Sequence, residues 1–97
     1  MSTPSFGKYR GVVINNVDPM QLGRIQAQVP DVRGAVASSW AMPCVACGLR
    51  KKVGSALPQI GAAVWIEFEH GDPDHPIWTG CFFTNPAETP LALRNWK

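Results

Sequence analysis

The sequence predicts an all-β chain, a small five-stranded barrel with little or no helix and an extended C-terminal tail. Two observations carry this. Nine glycines and nine prolines are spread along the 97 residues, which leaves no clean window for a helix of ordinary length. Between them lie short runs rich in β-branched and aromatic residues, the composition of strands. Closing so short a sheet removes the edges it would otherwise expose.

The first strand is expected over Tyr9 to Val17, ended by Asp18-Pro19. The second runs from Arg24 to Val29, where Ile25, Ala27 and Val29 alternate with Arg24, Gln26 and Gln28. That period of two marks one buried and one wet face. Pro30-Asp31 stops it, and residues Asn16 to Gly23 form a hairpin-like loop between the two strands. The third strand, Trp40 to Val45, contains Pro43, which has no ladder donor and implies an edge or a bulge. The fourth spans Ala63 to Glu69, with Val64, Ile66 and Phe68 on one face and Trp65, Glu67 and Glu69 on the other. The fifth spans Ile77 to Phe83, and Gly80 inside it signals a bend or bulge. The stretch Cys47 to Ala62 carries Gly48, Gly54, Pro58 and Gly61, so a loop with at most one helical turn is expected. Residues 1–8 and 84–97 read as tails around a domain at 9–83. In the second tail Leu91, Leu93 and Trp96 are apolar residues that should dock on this domain or on a neighbouring chain.

Composition narrows the function. Hydrophobic residues make up 45% and charged residues 16%, too apolar for disorder and low in charge for a surface exposed on all sides. Some surface is therefore expected to be covered by a partner. A net charge of +2 gives no basic stripe for nucleic acid. Arg50-Lys51-Lys52 reads as a solvated loop. An odd count of three cysteines excludes a complete disulfide framework. The polar opening Met1-Ser2-Thr3-Pro4-Ser5 is unlike a secretory leader, so reduced thiols in the cytoplasm are expected. No apolar run approaches the roughly 20 residues of a membrane helix.

Candidate chemistry is thin. Cys44 and Cys47 have the spacing of zinc ligands or a redox pair, with His70, His75 and Cys81 as further ligand candidates. Gly48 follows the second thiol where a redox motif wants a helix, so the pair is read as one core and one loop thiol. Glu67, Glu69, Asp72 and Asp74 cluster near one turn, where paired carboxylates do acid–base work or hold calcium. They are read as an outer face plus aspartates that close the turn. His70 and His75 have no nucleophile motif beside them. No catalytic residue, metal site or cofactor is assigned. Trp65 and Trp78 are read as packing residues or protein-interface anchors, because Glu67 and Glu69 beside Trp65 would repel phosphates.

The order of these pieces resembles the OB-fold domain of contractile-tail spike proteins: phage baseplate assembly protein V, phage hub spike proteins and VgrG spikes of type VI secretion. Tyr9-Arg10-Gly11-Val12-Val13 with Asn16-Val17-Asp18-Pro19 is similar to the family's opening strand and loop. Leu22-Gly23-Arg24-Ile25-Gln26-Ala27-Gln28-Val29-Pro30 is similar to its second strand, and Trp40-Ala41-Met42-Pro43 to its third. Leu57-Pro58-Gln59-Ile60-Gly61, followed by Val64-Trp65-Ile66-Glu67-Phe68, resembles its next turn and the strand after it. Gly71-Asp72-Pro73-Asp74-His75-Pro76 followed by Gly80 is the most specific piece.

The resemblance implies a non-enzymatic adaptor that forms a homotrimer and links a central baseplate hub protein to a spike or needle. Such a part would be assembled in the cytoplasm and built into a phage tail or tail-like particle, without stable membrane insertion. The alternative is a single-stranded nucleic-acid-binding OB module, motivated by the aromatics and Arg50-Lys51-Lys52. A small metal or redox protein rests on Cys44 and Cys47 alone. The chain ends soon after the barrel without a repeat region, so a needle would be a separate protein or a longer chain's next domain.

Overall fold

The computed structural model describes residues 3–47 and 57–89. The elements in order are β1 (Tyr9–Asn15), β2 (Gln26–Gln28), α1 (Pro30–Arg33), β3 (Met42–Pro43), β4 (Ala63–Phe68) and β5 (Pro76–Phe82). Short 3-10 turns occupy Glu69–Gly71 and Pro86–Glu88. The strands form one five-stranded sheet in the order β2-β1-β4-β5-β3. All pairings are antiparallel except β3 with β5. The sheet curls until its two edges approach. Ile25, before β2, and Ala41, before β3, exchange backbone hydrogen bonds at 3.1 and 2.6 Å. The result is the small all-β, OB-like barrel that the sequence predicts.

The alternation reads directly as inside and outside. Val13, Ile25, Ala27, Val29, Ala41, Val64, Ile66, Phe68 and Trp78 form the buried core. Gln26 and Gln28 stay half-buried on the other face of β2. Tyr9 meets Phe68 edge-to-face at 5.7 Å and closes one end. Pro30 does more than stop β2. Its fixed φ suits the first position of a helix, and α1 follows for one turn.

β3 is much shorter than the Trp40 to Val45 run suggests. Pro43 has no N–H to donate, and after Cys44 donates to the Trp78 carbonyl at 2.9 Å the strand ends. Cys44 and Cys47 are therefore both exposed, and the expectation that one is a core thiol is corrected. The centre of the Cys47 to Ala62 stretch, including Arg50-Lys51-Lys52, lies outside the described residues, as do Leu91, Leu93 and Trp96.

The bulge expected at Gly80 is present. Trp65 pairs with Gly80 and Ile66 with Trp78, so Thr79 is an extra residue in β5. Gly80 takes φ 153°, with nothing within 4 Å of the place its Cβ would occupy. In a regular strand Trp78, Gly80 and Phe82 share a face. The extra residue reverses that parity, so Trp78 points into the core and Phe82 lies outside beside Trp65.

Candidate assembly surface

The β1–β2 loop is built around Asp18. Its carboxylate accepts the backbone N–H of Met20 (2.9 Å), Leu22 (2.9 Å) and Arg24 (3.2 Å). Positive φ at Gln21 (55°) and Gly23 (76°) turns the chain around the carboxylate. Arg24 completes the shell, with Nη2 on Oδ1 at 2.7 Å and Nε on Oδ2 at 3.0 Å. This fork holds the Asp18 carboxyl far below the usual range, against the opposing effect of burial, and the backbone N–H groups add to it. Arg24 in turn stays protonated more firmly than a free arginine, because of Asp18. Its guanidinium also lies 5.3 Å from the Trp40 ring centre. The Gly23 carbonyl accepts the Trp78 indole N–H at 2.9 Å, tying the loop to the core.

The loop so fixed presents Val17, Met20 and Leu22 to solvent. The Asn16 side-chain amide donates to the Pro58 carbonyl at 3.1 Å, which brings the turn carrying exposed Ile60 alongside. Gly61 closes that turn at φ 89° and donates to the Val13 carbonyl at 2.8 Å.

The turn between β4 and β5 uses its acids structurally. Asp72 accepts the Asp74 N–H at 2.9 Å, and its other oxygen lies 2.9 Å from His75 Nδ1. The Asp74 N–H and then His75 hold the Asp72 carboxyl below its ordinary value. Asp74 pairs with Arg33 of α1, and Glu67 with Lys8 at 3.3 Å. Pro73 and Pro76 are buried at the base of the turn. Gly71, at φ 74°, accepts the Ser5 N–H at 2.7 Å and lies under the Phe6 ring. Part of the N-terminal segment is thus strapped to this turn.

On the outer sheet face Trp65 and Phe82 stack at 4.4 Å between ring centres. The Arg10 guanidinium lies over both, at 5.2 and 4.9 Å. Exposed Val12 and Ile14, on the same face of β1 as Arg10, extend this patch. Trp78, which sequence reading leaves between core and interface, is 4% exposed and belongs to the core. Among the described residues no three of His, Cys, Asp and Glu converge as metal ligands. Burial pushes the Cys81 thiol up, away from the reactive thiolate.

Sequence reading misses the Asp18–Arg24 pair and the Arg10 stack. The first has a visible signal, an aspartate before proline, six residues ahead of an arginine that follows glycine. The second has none, since it depends on the bulge that turns Phe82 outward.

Charged side chains engaged in the barrel's own turns, together with an outer face of half-buried aromatic and exposed aliphatic residues, define a small OB-type barrel. Residues 9–83 match the type VI secretion system/phage-baseplate injector OB domain family, and the chain belongs to it. The chain is also similar to the type VI secretion system spike protein VgrG5 of Pseudomonas aeruginosa. The two are 36% identical over 58 residues, a segment covering 60% of this chain and 6% of that protein. The chain thus spans a small part of the length of this relative.

Proposed function

We propose that the chain is a non-enzymatic structural part of a contractile injection machine, a phage tail baseplate or a related secretion or injection particle. In this reading the barrel adapts the central hub to the spike as a homotrimer, is assembled in the cytoplasm, and enters the particle without stable membrane insertion. The observation that carries the reading is the family match across the whole barrel. The patch formed by half-buried Trp65 and Phe82 with exposed Val12 supplies a surface suited to protein contact. No helix among the described residues is long and apolar enough to cross a membrane.

The nucleic-acid alternative needs open aromatic faces among basic residues. Here Arg10 already covers Trp65 and Phe82, and Glu67 shares the outer face of β4. That arrangement supports protein contact instead. Light scattering of the purified chain, alone and mixed with hub and spike proteins of a contractile system from the same source, tests the proposal. A trimer mass and a stable mixed complex are expected. A strict monomer at the highest concentration that binds neither partner overturns it.

A further inference from the structure

β5 is paired on both sides only at its start. On one side it follows β4 from Pro76 to Phe82. On the other side β3 pairs with Ile77 and Trp78 alone. The Cys44 N–H on the Trp78 carbonyl, at 2.9 Å, is the last bond of that seam. Past it, residues 79–83 have β4 beside them and, among the described residues, no strand on the other side.

The ladder fixes which groups are left over, because successive residues of a strand bond alternately to its two neighbours. The Val13 N–H bonds the Ala62 carbonyl at 3.0 Å, so Val64 and Ile66 likewise turn their backbone groups toward β1. Ala63 and Trp65 then bond β5, through Phe82 and Gly80. The Glu69 N–H on the His75 carbonyl, at 2.9 Å, gives the same parity at the far end. Cys81 lies between Gly80 and Phe82, so its N–H and carbonyl point away from β4 into the seam, where no described residue bonds them. Its side chain is on the core side, since it sits opposite Val64, which is 0% exposed. Yet Cys81 is exposed, and Phe83 just past the strand is 44% exposed. A core-side residue in the open marks a missing piece of barrel wall. Residues 79–84 also carry no charge and no proline, the usual guards of an unpaired edge.

We propose that this seam takes an extended, uncharged segment of a different polypeptide, added as a strand beside β5. The unpaired backbone of Cys81 specifies a strand, and its core-side thiol calls for an apolar residue beside it. A second copy of this chain fits less well. β5 against β5 is a two-fold contact, complete at two chains, and the far edge at β2 is already bridged through Ile25 to Ala41 and Gln28 to Ala37. This choice rests on the threefold hub-and-spike reading above, in which a hub or spike chain supplies the strand.

Residue-resolved amide hydrogen exchange on the full 97-residue chain tests this. Alone, the Cys81 N–H should exchange fast while the neighbouring Phe82 N–H, paired with Ala63, exchanges slowly. With hub or spike protein of a contractile system from the same source bound, Cys81 exchange should slow by more than about tenfold. Cys81→Pro removes the edge donor at a position where an edge strand tolerates proline, and should weaken that complex while the barrel stays folded. Cys81→Lys, which places a charge in the seam, should weaken it likewise and serves if the proline variant fails to fold. A Cys81 N–H protected in the dilute isolated chain overturns the proposal, because the chain then fills its own seam. Protection that grows with concentration overturns it in favour of a second copy. A hub or spike complex that leaves Cys81 exchange unchanged overturns it while the hub-and-spike reading stands. Failure of either protein to bind at all defeats that reading, and this proposal with it.

Discussion

Arg24 grips both carboxylate oxygens of Asp18, at 2.7 and 3.0 Å, and the pair is almost withdrawn from water, with side chains 16% and 3% exposed. A loop of ten residues between strands would ordinarily be mobile. Here one carboxylate satisfies the inward-turned N–H groups of Met20, Leu22 and Arg24, and the arginine neutralises it. Trp78 then pins the Gly23 carbonyl from inside the core. The loop is built as a rigid surface that holds Val17, Met20 and Leu22 outward.

Asp18→Asn should therefore lower the melting temperature near neutral pH, and the deficit should depend on pH in a defined direction. The folded carboxyl titrates below its ordinary value of 3.8. Its contribution is complete above that value and is lost as pH falls below it, because the unfolded chain then binds a proton that the folded chain does not. Thermal melts from about pH 7 to about pH 2 should show the gap between wild type and variant widest at the upper end and narrowing below about pH 4. A gap that stays constant down to the acid limit would show that Asp18 acts through shape and not charge.

Gly71→Ala should destabilise the fold by about 1–2 kcal/mol, the penalty of an L side chain in the left-handed region. The added Cβ would also come within 2.7 Å of the Phe6 ring. Phe6 is 69% exposed and free to swing aside. Urea unfolding of Gly71→Ala on a Phe6→Ala background should recover only a few tenths of a kcal/mol. Recovery of the full loss would assign the cost to the clash instead of the backbone.

Titration with a labelled single-stranded oligonucleotide at moderate salt should show no tight binding. If an affinity appeared that fell steeply with added salt, backbone phosphates would be recognised, and the contact reading of Arg10, Trp65 and Phe82 would fail.

The core of this fold was legible because alternation reports directly on burial. Ile25, Ala27 and Val29, and likewise Val64, Ile66 and Phe68, are inside as their period demands. The extent of β3 was not legible, because Pro43 limits pairing only once its neighbour in the sheet is known. The Asp18–Arg24 pair needs left-handed backbone at Gln21, a residue with no intrinsic preference for it. Gly80 announced a bulge. The consequence for Phe82 required knowing which strand supplied the extra residue. Asp72 closes its own turn by accepting the Asp74 N–H, a local bond of the kind an aspartate beside proline makes with its own backbone.

The two tryptophans on neighbouring strands should separate stability from assembly. Trp78 is buried and its N–H is held by the Gly23 carbonyl. Trp78→Phe leaves that carbonyl without its partner, at a cost of about 1–3 kcal/mol, and should loosen the Asp18 loop as well. Trp65 is half-buried on the outer face, in contact with Phe82 and Arg10. Trp65→Ala gives up a stacking pair worth about 0.5–1.5 kcal/mol and leaves the core untouched. Thermal melts and light scattering on both variants should show opposite profiles. Trp78→Phe should lose stability more than it loses assembly in the cold, and Trp65→Ala should stay folded while its oligomer or its complex with hub and spike proteins weakens. If Trp65→Ala assembles as wild type does, the outer aromatic face is not the contact, and the exposed loop carrying Val17, Met20 and Leu22 becomes the surface to vary next.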